Sequence, residues 1–399
     1  MTLDPVRPID PADLPAWPQH DHTEREALER VLAHGQWWRA AGTENDDFER
    51  EFAAYNGAPY ALAVTNGTVA LELALRLHGI GPGDEVVVPA FTFISTSLAV
   101  QNVGATPVPA DVDPETYCLT PEAVRAVLTP ATRAVIPVHI AGHLADMPAL
   151  AALAAERDLV VIQDAAHAQG GVWQGTKVGE FPSVACYSFQ NGKLMTAGEG
   201  GALTLPDEKT YEQAYLMHTC GRPRGDTTYQ HVTGGSNSRV SEFTAALLRA
   251  QLARLAEHTR IREERATLLD GLLKDAPGLR VQARDLRMDV NPHYMYLVAL
   301  DPAAGRAARD RLVEELKAAG VPACVNFPPV YRPASFRAGP VPATSVAELA
   351  ERCPVSEDLG AHGLWIHHRV LLAEPRVVER VAEVVTTLAE RVTGAVVAR

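Results

Sequence analysis

LVVIQD (residues 159–164) and, further along, VACYSFQNGKLMTAGEGG (residues 184–201) are the stretches that decide the fold. Each opens as a short apolar run dominated by branched or small side chains, the pattern of a strand buried on both faces of a parallel sheet. The first run ends in Asp164 and the second in Ser188, and a turn-rich loop then carries Lys193. Open α/β sheets bind ligands at the carboxyl ends of their strands. A carboxylate, a hydroxyl and an amine are therefore presented to one edge.

Similar runs extend the pattern on the N-terminal side: VVVP at Val86, ATPVPAD ending in Asp111, and AVIPVH ending in His139. They alternate with helical patterns from about Tyr60 to Leu205, which predicts a mainly parallel sheet wrapped by helices. Phe91, Phe93, His139, Asp164 and Ser188 each end or closely follow a strand. Asn66-Gly67-Thr68 closes the apolar run YALAVT and opens a helical pattern through Ala70, Leu71, Leu73, Ala74 and Leu77. A helix starting there aims free N–H groups outward, Gly67 permits close backbone approach, and Thr68 adds a hydroxyl, which together suit an anion such as a phosphate. Alone, a glycine turn before a helix is far more often only a cap; its weight comes from its neighbours. Pyridoxal phosphate requires an amine for a Schiff base, an acid for its pyridine nitrogen and neutral donors around its phosphate. Lys193, Asp164 and Ser188 with the Gly67-Thr68 turn meet those needs.

Beyond the sheet, residues 242–273 are free of Gly and Pro until Gly271 and read as one long helix. YMYLVAL (residues 294–300), a helical stretch near 306–319 and a last helix through Val377, Val381, Val384 and Leu388 make a smaller α+β unit. The expected division is an N-terminal arm (1–25), a large α/β domain (26–265) and a small domain (266–399). A chain of 399 residues is long enough for two cores. Lys plus Arg number 36 against 49 Asp plus Glu, a net charge of −13, which argues against nucleic acid as a partner. The five cysteines are odd in number, scattered and without C-x-x-C spacing, as expected of reduced thiols. No stretch reaches membrane-spanning length, and the proline-rich start lacks a signal-peptide core; the expectation is a cytoplasmic enzyme, with no membrane partner.

The blocks AVTNGT, VPAFTFIS, DAAHAQG, SFQNGKLMTAGEGG, CGRPR and HHRVLLA, in this order, resemble the fold-type I pyridoxal-phosphate transferases. Specifically they resemble the DegT/StrS-like sugar aminotransferases, with the 3-amino-5-hydroxybenzoate (AHBA) synthase subgroup nearest. Gln190, where most of the family has histidine, and Gly192 before the lysine agree with that subgroup. The resemblance implies an α/β fold with a large, mainly parallel seven-stranded-type sheet domain and a smaller α+β C-terminal domain. It implies that Lys193 forms the Schiff base, Asp164 pairs with the pyridine nitrogen, and His167 and Phe93 cover the two sides of the cofactor. Gly67, Thr68 and Ser188 would bind its phosphate, and Gln190 would lie near the reacting carbon. Asn237 would reach from one subunit of a homodimer into its neighbour's phosphate site. Asn326, Tyr331 and Arg332 would lie near substrate or the pocket closure. For His367-His368-Arg369, a substrate clamp, since Arg grips carboxylates bidentately, and an ordinary interdomain contact are equally open.

His139 and His143 could suggest a metal pair, but the intervening glycine breaks a helix and no suitably spaced carboxylate or cysteine accompanies them. Structural hydrogen bonding is expected, and no metal. Trp37-Trp38-Arg39 reads as packing at an interface or pocket rim rather than a base-stacking platform. The expected activity is amino transfer from glutamine or glutamate to a cyclic ketone, a ketosugar or ketocyclitol, in secondary-metabolite biosynthesis, with a partner oxidoreductase as an option. One alternative is dehydration and aromatisation of 5-amino-5-deoxy-3-dehydroshikimate. Another is a cofactor-binding sensor without turnover, against which the intact lysine and aspartate argue.

Overall fold

The computed structural model describes residues 7–394. The chain lays down β1 (Tyr60–Val64), β2 (Glu85–Pro89), β3 (Thr106–Ala110), β4 (Thr132–Val135) and β5 (Val160–Asp164). A small hairpin, β6 (Val172–Trp173) and β7 (Thr176–Lys177), precedes β8 (Val184–Ser188) and β9 (Gly201–Leu205). Seven of these form a sheet in the order β1-β9-β8-β5-β4-β2-β3. Its pairings are parallel except at β9, which runs antiparallel to both neighbours. All strands but β9 thus end at one edge, as the sequence predicts for a mainly parallel sheet.

Alternation along each strand serves both faces. Leu62, Val64, Val184 and Cys186 pack towards the helix Gly67–Leu77, whereas Ala61, Ala63, Ala185 and Tyr187 pack with Phe48, Phe52 and Leu248. The run AVIPVH is expected as a strand to His139, but β4 stops at Val135 because Pro137 has no N–H to donate. The backbone still follows the sheet: Asp164 N–H donates to Pro137 O at 2.9 Å and His139 N–H to Asp164 O at 3.1 Å.

β10 (Leu279–Val281), β12 (Met295–Leu300), β13 (Ala323–Val325) and β14 (Gly363–His367) build a second, antiparallel sheet in the order β10-β12-β14-β13, while β11 (Met288–Val290) joins the β6–β7 hairpin. The helices Arg306–Ala318 and Pro375–Thr393 cover the second sheet. One helix, Glu242–Leu273, serves both cores: Ala245, Leu248, Leu252 and Leu255 enter the first, and Ala266, Leu269 and Leu273 the second. The division expected between 265 and 266 falls inside this unbroken helix. Residues 1–25 make up the expected arm. Its first six residues lie outside those described, Ile9 and Leu14 are buried in the second core, Ile9 N–H donates to Ala319 O at 2.8 Å, and a helix starts at His22 with Asp21 as its cap.

Asp111, at the end of β3, shows the bland fate of a strand-end carboxylate. It accepts from Val355 N–H at 3.0 Å, Ser356 N–H at 2.9 Å and the Ser356 hydroxyl at 2.7 Å, capping the helix Pro354–His362 and joining the two cores. Near β1, Arg39 and Glu49 form a buried bidentate pair at 2.6 and 2.7 Å, and Glu49 also accepts from Ala63 N–H at 2.7 Å. That ties the helix Glu44–Asn56 to the strand leading into Gly67. Trp37 and Trp38, by contrast, are half exposed.

Removing one partner of a buried pair leaves an uncompensated charge, at a cost of about 3–5 kcal/mol. Arg39→Met should therefore lower the stability measured by urea unfolding by about that amount, and the double variant Arg39→Met, Glu49→Gln should recover part of the loss.

Candidate active site

The carboxyl edge of the large sheet opens into a cavity of about 700 Å³. Lys193, Asp164, His167, Gly67, Thr68, Phe93, Ser188 and Gln190 all line it. Asp164 is 6% exposed, accepts from the Thr96 hydroxyl at 2.8 Å and from Ala166 N–H at 3.2 Å, and makes no salt bridge among the described residues. Burial pushes its carboxyl upward; the Thr96 and Ala166 donors and the Lys193 charge oppose that. Lys193 lies on the loop after β8, which hydrogen-bonds to itself through Lys193 N–H to Gln190 O at 2.8 Å and Gly192 N–H to the Gln190 side-chain oxygen at 2.8 Å. Burial lowers its amine to about 8, with Asp164 pulling the other way.

The helix Gly67–Leu77 begins at the same edge, with the Asn66 side chain accepting from Val69 N–H at 2.9 Å. Its first N–H groups have no partner within the helix. A Cβ on Gly67 would come within 2.9 Å of the Ser188 Cβ, and one on Gly201 within 2.4 Å of the Asn66 backbone. Both glycines are required for the helix start to seat directly on β8 and β9, which brings the Thr68 and Ser188 hydroxyls into one cradle.

His167 accepts from Ala141 N–H at 3.3 Å through Nδ1, so its neutral ring carries the proton on Nε2. Burial and the nearby Lys193 charge hold it well below the usual histidine range. Ala141 sits in the left-handed region, at φ 59°, and its carbonyl accepts from Tyr294 N–H at 2.8 Å. That strained residue links two rings, since Tyr294 stacks on His167 with centroids 4.2 Å apart, and Lys193 Nζ lies 4.3 Å from the Tyr294 ring centre. Tyr294 immediately precedes β12 of the second sheet and was visible in the sequence only as the start of YMYLVAL. Thr96, Phe327, Met295, Trp365 and Glu199 also line the cavity without having been singled out. Of these, Glu199 lies within SFQNGKLMTAGEGG and Met295 within YMYLVAL, Thr96 directly follows VPAFTFIS, and Phe327 directly follows Asn326.

Other candidates lie elsewhere. Asn237 is exposed and outside the cavity. Asn326 is buried and turned towards Gly363, while Phe327 faces the cavity, because neighbours on extended chain point opposite ways. Tyr331 is fully buried and donates to Glu357 at 2.8 Å; Arg332 pairs with the same carboxylate. His367 accepts from Arg369 N–H at 3.1 Å, and neither lines the cavity, although Trp365 on the same strand does. Phe91 is a core residue. His139 contacts the Gln163 side chain at 3.0 Å and accepts from Ala145 N–H; His143 accepts from Asp285 N–H and bonds the Leu144 carbonyl. Both are structural hydrogen bonders.

A pyridoxal phosphate group tests the site, and the donor set fits it. The buried carboxylate lacks a cation that a pyridinium would supply, the cradle offers neutral donors to a phosphate, and Phe93, 52% exposed, stands at the wall beside Phe327 with centroids 5.7 Å apart. In the cofactor-free chain, labelling of Lys193 by an amine reagent should rise with pH around a midpoint near 8. Asp164→Asn removes the group that raises the amine, so its midpoint should fall further; quantitative mass spectrometry of the labelled peptide checks both.

The model of the DegT/DnrJ/EryC1/StrS aminotransferase family matches residues 18–387. The 3-amino-5-hydroxybenzoate synthase of Amycolatopsis mediterranei is 52% identical over 381 residues, 95% of this chain and 98% of that protein. The L-glutamine:2-deoxy-scyllo-inosose aminotransferase of Streptomyces kanamyceticus is 34% identical, covering 97% and 96%. A crystal structure of 3-amino-5-hydroxybenzoic acid synthase superposes with a TM-score of 0.93 at 51% identity, covering 96% of this chain and all of that one. With a lysine, a buried aspartate and an anion cradle at one sheet edge, and likeness running through nearly its whole length, this chain belongs to the DegT/DnrJ/EryC1/StrS aminotransferase family.

Proposed function

We propose that the protein is a pyridoxal-phosphate-dependent aminotransferase of the AHBA-synthase subgroup that moves an amino group from glutamine or glutamate to a cyclic ketone, a ketosugar or ketocyclitol. The observation carrying the proposal is Lys193 and the unpaired, buried Asp164 facing one cavity beside the Gly67–Ser188 cradle. When bound, the cofactor supplies an aldehyde that takes up the amine and a ring that withdraws electrons. Asp164, hydrogen-bonded by Thr96 and Ala166, would hold the proton of the ring nitrogen. The first-turn amides of Gly67 and Thr68, with the Thr68 and Ser188 hydroxyls, would hold the phosphate. Lys193 Nζ, depressed towards neutrality by burial, is suited to take the α-proton of the donor and return it. His167 and Phe93 would bound the ring on its two sides, with Gln190 near the reacting carbon. Asn237, exposed and outside this chain's cavity, would serve the phosphate site of a second copy in a homodimer. The half-exposed Trp37 and Trp38 support such an interface. Soluble cytoplasmic work agrees with there being no helix, among the described residues, long and apolar enough to cross a membrane.

A second reading is dehydration and aromatisation of 5-amino-5-deoxy-3-dehydroshikimate. It is favoured by the 52% identity to an enzyme named for the aminobenzoate product and by the apolar wall of Phe93, Phe327, Met295 and Trp365, which suits a flat carbocycle. A change in the visible spectrum of the purified protein on adding glutamine supports amino transfer. Aromatic ultraviolet absorbance produced from the aminodehydroshikimate without donor supports the second reading.

Lys193→Ala should abolish turnover of either kind, and ordinary turnover by that variant sinks both readings. Thr96→Val, which keeps shape but removes the donor to Asp164, should weaken cofactor retention by about tenfold, from the loss of a charge-assisted hydrogen bond. Equilibrium dialysis measures it.

A further inference from the structure

The loop that carries Lys193 is held from outside its own domain. Its internal hydrogen bonds leave two consecutive carbonyls, of Asn191 and Gly192, directed elsewhere. The Trp17 indole N–H donates to Asn191 O at 2.9 Å, and His368 Nε2 donates to Gly192 O at 3.1 Å. Trp17 belongs to the N-terminal segment, whose Ile9 and Leu14 are buried in the second core. His368 directly follows β14 of the second sheet. The two rings meet edge to face with centroids 4.4 Å apart. His368 is 1% exposed and its Nδ1 has no partner, so its ring offers a hydrogen bond to the lysine loop alone. A buried polar ring kept for a single contact costs desolvation, and that contact is the reason it is tolerated.

We propose that Trp17 and His368 are positioning residues for Lys193, a two-point clamp by which the N-terminal segment and the second domain together hold the turn that aims the amine into the cavity. Neither ring lines the cavity, so each acts through the backbone of Asn191 and Gly192. The clamp also makes the pose of Lys193 depend on how the second domain is seated, because both donors move with that domain's core. The proposal rests on Lys193 being the reacting amine.

Full-length Trp17→Phe, His368→Leu and His368→Gln variants test it by two readouts. Phe keeps the ring and loses the N–H; Gln keeps an N–H donor at nearly the same place, and Leu does not. Deuterium uptake by the peptide spanning residues 189–194 should quicken about fivefold in Trp17→Phe and His368→Leu, the effect of one lost hydrogen bond. It should stay near the unmodified rate in His368→Gln. Turnover with glutamine should fall about five- to tenfold through kcat, with KM held within about twofold and the unfolding midpoint unmoved. Unmodified exchange in Trp17→Phe overturns the clamp, as does equal damage in His368→Gln and His368→Leu. The exchange readout needs no cofactor, so variants that exchange as expected in a protein that shows no turnover count against the proposed function and leave the clamp standing.

Discussion

A carboxylate buried without a salt bridge among the described residues is the constraint around which this molecule is arranged. Asp164 sits at the end of a central strand where both faces of the sheet are covered, and only a hydroxyl, one backbone N–H and the charge of Lys193 offset the loss of water. Such a group persists where a cationic partner is to arrive. The contrast with Asp111, on the same sheet edge, is instructive: there the carboxylate is spent on the N–H groups of a helix, and it joins domains instead of waiting for a ligand.

The amine shares that environment. Burial lowers the Lys193 amine to about 8, and its surroundings are assembled from both sheets: the loop after β8, the Tyr294 ring from the strand region of the second sheet, and the Trp17 and His368 donors. The helix Glu242–Leu273, rooted in both cores, is the beam that lets the second domain reach the first. Ala141 completes the coupling, since its strained backbone bonds His167 on one side and Tyr294 on the other and so sets the spacing of the stacked rings. Strain of this kind persists where surrounding contacts hold it in place.

Strand periodicity made the sheet legible, and Gly67, Thr68, Phe93, Asp164, Ser188 and Lys193 at its strand ends did meet in one cavity, whereas Phe91, Asp111 and His139 turned to packing and structural hydrogen bonds. That is a consequence of topology: every parallel strand delivers its following loop to the same edge. Legibility failed for the second domain. For Asn326, Tyr331 and Arg332, which way each side chain turns depends on strand phase and on competition from Glu357, and Phe327 took the cavity position instead. The Arg39–Glu49 pair was hidden likewise, because nothing local says that an arginine beside two tryptophans is buried.

By itself, then, the sequence determined the sheet, the edge at which Lys193 and Asp164 meet and the family, because short-range patterns and strand-end residues carry that information. Only the tertiary structure decided which groups from distant segments close the site: Tyr294 over Lys193, Trp17 and His368 on its loop, Phe327 and Trp365 at the wall. These contacts join residues far apart in the chain, and their pairing follows from the packing of two domains on one shared helix, which no local periodicity encodes.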